Sequence, residues 1–108
     1  VCGATMADAI SYINEHFQSD LSLEKLAAES NMSLFHFTRV FTKETGITPH
    51  QYLIKTRLSA AKYLLKSTET SIKNIAFSTG FNSETSFCTT FKKWENVTPS
   101  QYRQSILN

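Results

Sequence analysis

Residues 22–52 read SLEKLAAESNMSLFHFTRVFTKETGITPHQY, and residues 71–102 read SIKNIAFSTGFNSETSFCTTFKKWENVTPSQY. The second stretch repeats the first. Residues 22–32 pair with 71–81 at an offset of 49, and residues 37–52 pair with 87–102 at an offset of 50. Nine of these 27 pairs are identical: Ser22/Ser71, Ala27/Ala76, Phe37/Phe87, Phe41/Phe91, Lys43/Lys93, Thr48/Thr98, Pro49/Pro99, Gln51/Gln101 and Tyr52/Tyr102. Chance is a poor account of two Thr-Pro-x-Gln-Tyr strings, so one supersecondary unit is used twice. The slip of one residue falls between Met32/Phe81 and Phe37/Phe87, where a turn and a helix start tolerate an insertion.

Helix signals repeat with the sequence. Ser22 can cap a helix in which Leu23, Leu26 and Ala27 form an i, i+3, i+4 apolar stripe, and Ser71 can do the same for Ile72, Ile75 and Ala76. Each of these first helices is about eight residues long. Asn31 and Gly80 follow them, and both residue types accept the left-handed backbone that ends a helix. After a tight turn, Ser33 caps a second helix in the first unit, and Asn82 or Ser83 does so in the second; Gly46 closes the one and Asn96 the other. Helix, short turn, helix is the pattern that lays its second helix in a DNA major groove.

At the end of the first repeat, Thr48-Pro49 gives an N-cap followed by proline at the first helical position, where a missing N–H costs nothing. It predicts a long helix to about Lys66, and Thr98-Pro99 predicts a short last one. On the long helix Ile54, Leu58, Ala61 and Leu65 make an apolar row, widened by Leu53, Tyr63 and Leu64. Residues 7–18 form an amphipathic leading helix through Ile10, Ile13 and Phe17, and residues 67–70 are the one plausible linker. The expected architecture is all-α with seven helices: a first helix-turn-helix subdomain at 1–47, a connecting helix at 48–66 and a second subdomain at 67–108. A connecting helix of roughly 18–19 residues is about 28 Å long. Successive major grooves on one DNA face lie about 34–36 Å apart, so the two units are expected to take adjacent grooves.

With 41% hydrophobic residues and 12% aromatics, 108 residues can build packed cores, which excludes overall disorder. No apolar run approaches the roughly 20 residues of a membrane span, and the N-terminus lacks the basic-then-apolar pattern of a secretion signal. A soluble, cytoplasmic protein is expected. Cys2 and Cys88 belong to no Cys-x-x-Cys pair or metal-spaced cluster and read as free thiols in a reducing compartment; no metal or cofactor is expected. The formal charge of +2 is small but uneven. Residues 1–30 hold one base and five acids, leaving ten bases against four acids beyond them, so the positive field lies after the first helices.

The motifs Ser22-Leu23-x-x-Leu26-Ala27, Met32-Ser33 with Phe37-x-Arg39-x-Phe41-x-Lys43-x-x-Gly46, Ile75-Ala76-x-x-x-Gly80-Phe81 with Phe87-x-x-x-Phe91-Lys92-Lys93, and the closing Thr98-Pro99-x-x-Tyr102-Arg103 stand in this order. Together they resemble the DNA-binding domain of the AraC/XylS family of bacterial transcription regulators, from about Ala7 to Arg103. The resemblance implies two helix-turn-helix subdomains on a long helix, sequence-specific binding of double-stranded DNA, and regulation of transcription. Family members are usually larger, which implies a sensing or dimerising domain absent from this chain.

On the first recognition helix, at about 100° per residue, Leu34, Phe37, Val40, Phe41 and Glu44 fall on one side. Phe35, His36, Thr38, Arg39 and Thr42 face away. A guanidinium can bond guanine O6 and N7 bidentately; Arg39 either does this, as the resemblance implies, or touches phosphate alone. Phe35 either packs on a thymine methyl or belongs to the core at a helix start. Thr38 can touch base or phosphate, Thr42 a base, and His36 a phosphate or only water.

The second recognition helix turns Phe87, Thr90, Phe91 and Trp94 inward and leaves Thr85, Cys88, Thr89 and Lys92 outward, with Glu84 near the edge. The family often has arginine where Thr89 stands. Thr85 and Thr89 can make single hydrogen bonds or methyl contacts, and Glu84 either accepts from a cytosine amine or favours the helix N-terminus. This unit is therefore expected to position more than it specifies. Expected phosphate partners are His36, Lys43, Lys92, Lys93 and Arg103, with the backbone amides at Ser22 and Ser71. Lys55, Ser59, Lys62 and Lys66 line one polar face, read first as solvated and second as a contact for RNA polymerase or a second protein.

An enzyme is not expected, since His16, His36 and His50 have no carboxylate or thiol at useful spacing and no glycine-rich phosphate loop occurs. The rival reading is a helical protein-interaction module that has lost DNA binding. The surface of residues 35–42 separates the two: DNA readers need compact polar and cationic groups there, and partner-binding faces an apolar patch.

Overall fold

Serine hydroxyls open four of the helices. In the computed structural model, which describes residues 6–107, Ser22 Oγ accepts the Lys25 amide at 3.2 Å and Ser33 Oγ that of His36 at 3.1 Å. Ser71 Oγ accepts the Asn74 amide at 3.1 Å and Ser83 Oγ that of Ser86 at 3.0 Å. Each hydroxyl takes the third amide of its helix, one of the first four N–H groups that have no intrahelical acceptor. The helices so started are α2 (Leu23–Glu29), α3 (Leu34–Thr45), α5 (Ile72–Ser78) and α6 (Glu84–Glu95). With α1 (Met6–His16), α4 (Pro49–Ser67) and α7 (Pro99–Leu107), the described residues hold seven helices and no strand. Cys2 lies outside the described residues; Cys88 is a free thiol.

Both helix-turn-helix turns are built alike. The Asn31 and Met32 amides donate to the Ala28 and Ala27 carbonyls, each at 3.0 Å, while those of Gly80 and Phe81 donate to Phe77 at 3.3 Å and Ala76 at 3.0 Å. This nested pair of bonds needs a left-handed residue, which Asn31 supplies at φ 59° and Gly80 at φ 97°. Of the two candidates for the α6 cap, Ser83 is the cap, and Asn82 is the residue that makes the second turn longer by one. Gly46 and Asn96 close α3 and α6 at φ 88° and 67°.

The repeated Thr-Pro-x-Gln string is a reciprocal cap. The Gln51 amide donates to Thr48 Oγ1 at 3.1 Å and the Thr48 amide to Gln51 Oε1 at 3.1 Å; Thr98 and Gln101 repeat the exchange at 3.1 and 3.0 Å. Two otherwise unpaired donors are satisfied at the start of α4 and again at α7. At the other end of the chain, α1 stops at His16 rather than at residue 18. Ser19 donates its amide at 3.0 Å and its hydroxyl at 2.8 Å to the His16 carbonyl, which folds the chain into a turn and leaves Phe17 just past the helix.

The chain packs as two compact units, Val1–Thr56 and Arg57–Asn108, so their boundary lies inside α4. In the first, Ala9, Ile13, Leu26, Ala27, Phe37, Phe41 and Leu53 form the buried core. The Phe41 ring lies 5.8 Å from Phe37 and meets Tyr52 edge-on at 5.8 Å, and the Tyr52 hydroxyl donates to Asn14 Oδ1 at 3.1 Å, tying the start of α4 to α1. In the second, Leu58, Ala61, Leu65, Ile75, Ala76, Phe81, Phe87 and Phe91 are buried, with Phe91 between Phe87 at 5.7 Å and Tyr102 at 5.6 Å. Ala61 and Leu65 give this core an i, i+4 pair from the later half of α4, as Ala9 and Ile13 give one to the first core from α1. Truncating one of the four central phenylalanines to alanine costs about 3–5 kcal/mol.

Several side chains read as inward-facing are not inside. Trp94 is 39% and Tyr63 66% exposed, Leu34 and Glu44 are exposed, and Val40, Ile54 and Thr90 are half-buried. A short helix on a small core hides about one side chain per turn, and phenylalanines at i, i+4 fill that space in both α3 and α6. Leu53, not Ile54, is the buried residue near the start of α4. Lys62 also departs from a purely solvated face, since its Nζ meets Glu95 Oε2 at 3.3 Å.

Candidate nucleic-acid interface

α3 sets Phe37 and Phe41 into its core, and its outer side presents Phe35, His36, Arg39 and Lys43 to solvent. Phe35 is 72% exposed, which removes it from the core: the core phenylalanine of this helix start is Phe37. One turn on, the Arg39 guanidinium carbon lies 5.8 Å from the centre of the Phe35 ring. On the other side of Arg39, a shallow hollow of about 210 Å³ is lined by His36, Arg39, Val40 and Lys43. The spacing of His36, Arg39 and Lys43 keeps two cations and an imidazole along one side of the helix. Thr38 and Thr42 are half-buried, and the Thr42 hydroxyl donates to the Thr38 carbonyl at 2.7 Å. The Thr42 hydroxyl proton is thus engaged, which leaves its oxygen as an acceptor.

The matching face of α6 carries different chemistry. Thr85, Thr89, Lys92 and Lys93 are exposed, and Glu84 is exposed in the first turn, where an acid suits the helix dipole. Cys88 is half-buried; burial, and then the neighbouring Glu84 carboxylate, push its thiol up from the ordinary value. At the positions of Phe35 and Arg39 stand Thr85 and Thr89. The two recognition helices share their caps and buried phenylalanines but not their outward groups.

Arg103 has a task that is not visible in the sequence. Its Nε donates to the Leu65 carbonyl and its Nη2 to the Thr68 carbonyl, both at 3.1 Å. These carbonyls belong to the last turn of α4 and the residue after it, where helical acceptors run out. The one signal for this role is a helix C-terminus near residue 67 with no glycine to close it. Ser22 and Ser71 are placed as caps, as read. Among the described residues no cluster of three or more His, Cys, Asp or Glu could hold a metal, and no helix is long and apolar enough to cross a membrane.

Two repeated units, each a short helix, a left-handed turn and a longer helix with a polar outer face, define a tandem helix-turn-helix domain. A family model described as a helix-turn-helix domain matches residues 26–105. The chain belongs to the AraC/XylS-type helix-turn-helix family, a family of transcription regulators. An HTH-type transcriptional regulator of Haemophilus influenzae is 39% identical over 98 residues, which are 91% of this chain and 33% of that protein. The chain thus spans about a third of the length of that relative. Among solved structures, the C-terminal domain of AraT, a response regulator from Geobacillus stearothermophilus, is 39% identical with a TM-score of 0.88, over 93% of this chain and 84% of that one. The DNA-binding domain of the global transcriptional factor AdpA, solved with a target DNA, is 31% identical with a TM-score of 0.87, over 93% and 90% of the two chains.

Proposed function

We propose that this chain binds double-stranded DNA at specific sequences, with α3 as the principal base reader, and so directs a longer protein that regulates transcription. The observation that carries this reading is the outer face of α3. Arg39 presents a planar fork of donors suited to guanine O6 and N7, and exposed Phe35 suits a thymine methyl, with Thr38 and Thr42 beside them. His36 and Lys43, which line a shallow hollow with Arg39 and Val40, suit phosphate. α6 takes its own box with weaker means: Thr85, Cys88 and Thr89 toward the bases, Lys92 and Lys93 toward the backbone. The amides at Ser22 and Ser71 remain secondary phosphate contacts, and Arg103 leaves that set because its guanidinium serves α4. The AdpA domain was solved on a target DNA, which supports the same use of this fold.

The chain acts by binding rather than catalysis, in the compartment that holds the DNA. The sensing or dimerising part lies elsewhere in the longer protein, and RNA polymerase is the partner expected of the whole regulator. A protein-interaction module would need a contiguous apolar face on α3. Leu34 and Phe35 are apolar there, but His36, Arg39 and Lys43 are interleaved with them.

Selection of preferred sites from random duplexes, followed by affinity measurement, tests the reading. Arg39→Ala should cost about 1–3 kcal/mol on the preferred site and relax base choice at one or two positions, whereas Lys93→Ala should weaken all sequences about equally. Affinity should fall steeply with salt, by roughly 0.9 counterions per neutralised phosphate. An unchanged motif with Arg39→Ala would defeat the base-reading role, and a flat salt response would favour the interaction module.

A further inference from the structure

We propose that Phe35 is a positioning residue for Arg39, holding the guanidinium back toward the N-terminal half of α3. This rests on the reading of Arg39 as a base reader. Side chains on a helix lean toward its N-terminus, so the head of Arg39 reaches back over the residue one turn earlier. That residue is an aromatic ring, 5.8 Å from the guanidinium carbon, within the roughly 6 Å over which a cation is attracted to a ring face. Among the described residues the ring is the one specific contact of this guanidinium, with no carboxylate or carbonyl bonded to it.

Without the ring, a long side chain with several rotatable bonds would have two destinations. One is the base edges, which the N-terminal residues of a recognition helix meet. The other is a phosphate beside His36 and Lys43, whose hollow Arg39 also lines. An aromatic face at position 35 biases the choice toward the first and lowers the entropy lost when a bidentate contact forms. A thymine methyl contact alone does not require aromaticity, since leucine would supply it. At 72% exposure, core packing does not explain the ring either. The second unit supports the pairing from within the same chain: Thr85 and Thr89 replace both members together.

The test uses the 108-residue chain and a preferred duplex, with the Arg39-dependent guanine located by selection. The readout is the ratio of Kd for that duplex with adenine in place of the guanine to Kd for the original. Because both duplexes meet the same protein sample, a loss of folded fraction cancels. We expect Phe35→Leu to lower this guanine preference by about 2- to 30-fold, the range that a ring–cation contact supports. Phe35→Trp should keep the preference whatever its overall affinity, and Phe35→Leu added to Arg39→Ala should lower it no further. If Phe35→Leu leaves the preference intact while Arg39→Ala removes it, Arg39 reads unaided and the positioning role is wrong. An equal loss from Phe35→Leu with and without Arg39 would overturn it too, by showing that the ring acts alone. If Arg39→Ala leaves the preference intact at every base, the base-reading role fails and this inference falls with it.

Discussion

Thr89 stands at the repeat position of Arg39, and Thr85 at that of Phe35, so two helices of one shape carry unequal outward chemistry. The outward face of α3 is legible in the sequence because an i, i+4 phenylalanine pair fixes the buried edge and all else follows by rotation. Degrees of exposure are not. Trp94 reads as core by its angle, yet Phe87 and Phe91 already fill the space that α6 covers. Cys88 lies between these cases: half-buried, with a thiol whose pKa burial and Glu84 raise. A raised thiol pKa means less thiolate near neutral pH in the folded chain than in the unfolded one, and thiolate is the reactive form. In a Cys2→Ser background, iodoacetamide should therefore alkylate Cys88 more slowly in the folded protein than in urea-unfolded chain at the same pH. A faster reaction in the folded state would contradict this.

The elements themselves are written locally, and for that reason most are readable. A serine cap, a left-handed turn residue and a threonine–proline start act over three to five positions, and the observed starts of α2, α3, α5, α6, α4 and α7 fall where those signals stand. The bonds between elements are not written this way. Arg103 to Leu65 and Tyr52 to Asn14 each span 38 positions, and Lys62 to Glu95 spans 33, so no periodicity announces them. The Arg103 pair of bonds has a stability consequence that a phosphate contact would not have. Arg103→Met keeps much of the aliphatic stem but leaves two carbonyls without their charged donor. It should cost about 1–3 kcal/mol, read as a lower midpoint in thermal or urea unfolding, while the salt slope of DNA binding stays at the wild-type value. A reduced slope with unchanged stability would return Arg103 to the phosphate set.

At the scale of the whole molecule, one continuous helix supplies residues to both units. Its 19 residues give about 28 Å at 1.5 Å each, against about 34–36 Å between successive major grooves. If each unit takes its own box, inserting about five base pairs between the boxes turns the second by half a helical turn and should reduce affinity to that of one unit. Adding about ten should not restore it, because the helix cannot lengthen. Equal affinity at every spacing, measured by competition on these duplexes, would mean that one unit alone engages DNA. The boundary between Thr56 and Arg57 has a consequence for heredity as well as for packing. A crossover there joins helix to helix, with no loop to refit and each unit's buried residues on its own side of the seam. If each unit reads its own box, two regulators recombined at that point would exchange half a DNA address in a single event, leaving the other half as it was inherited.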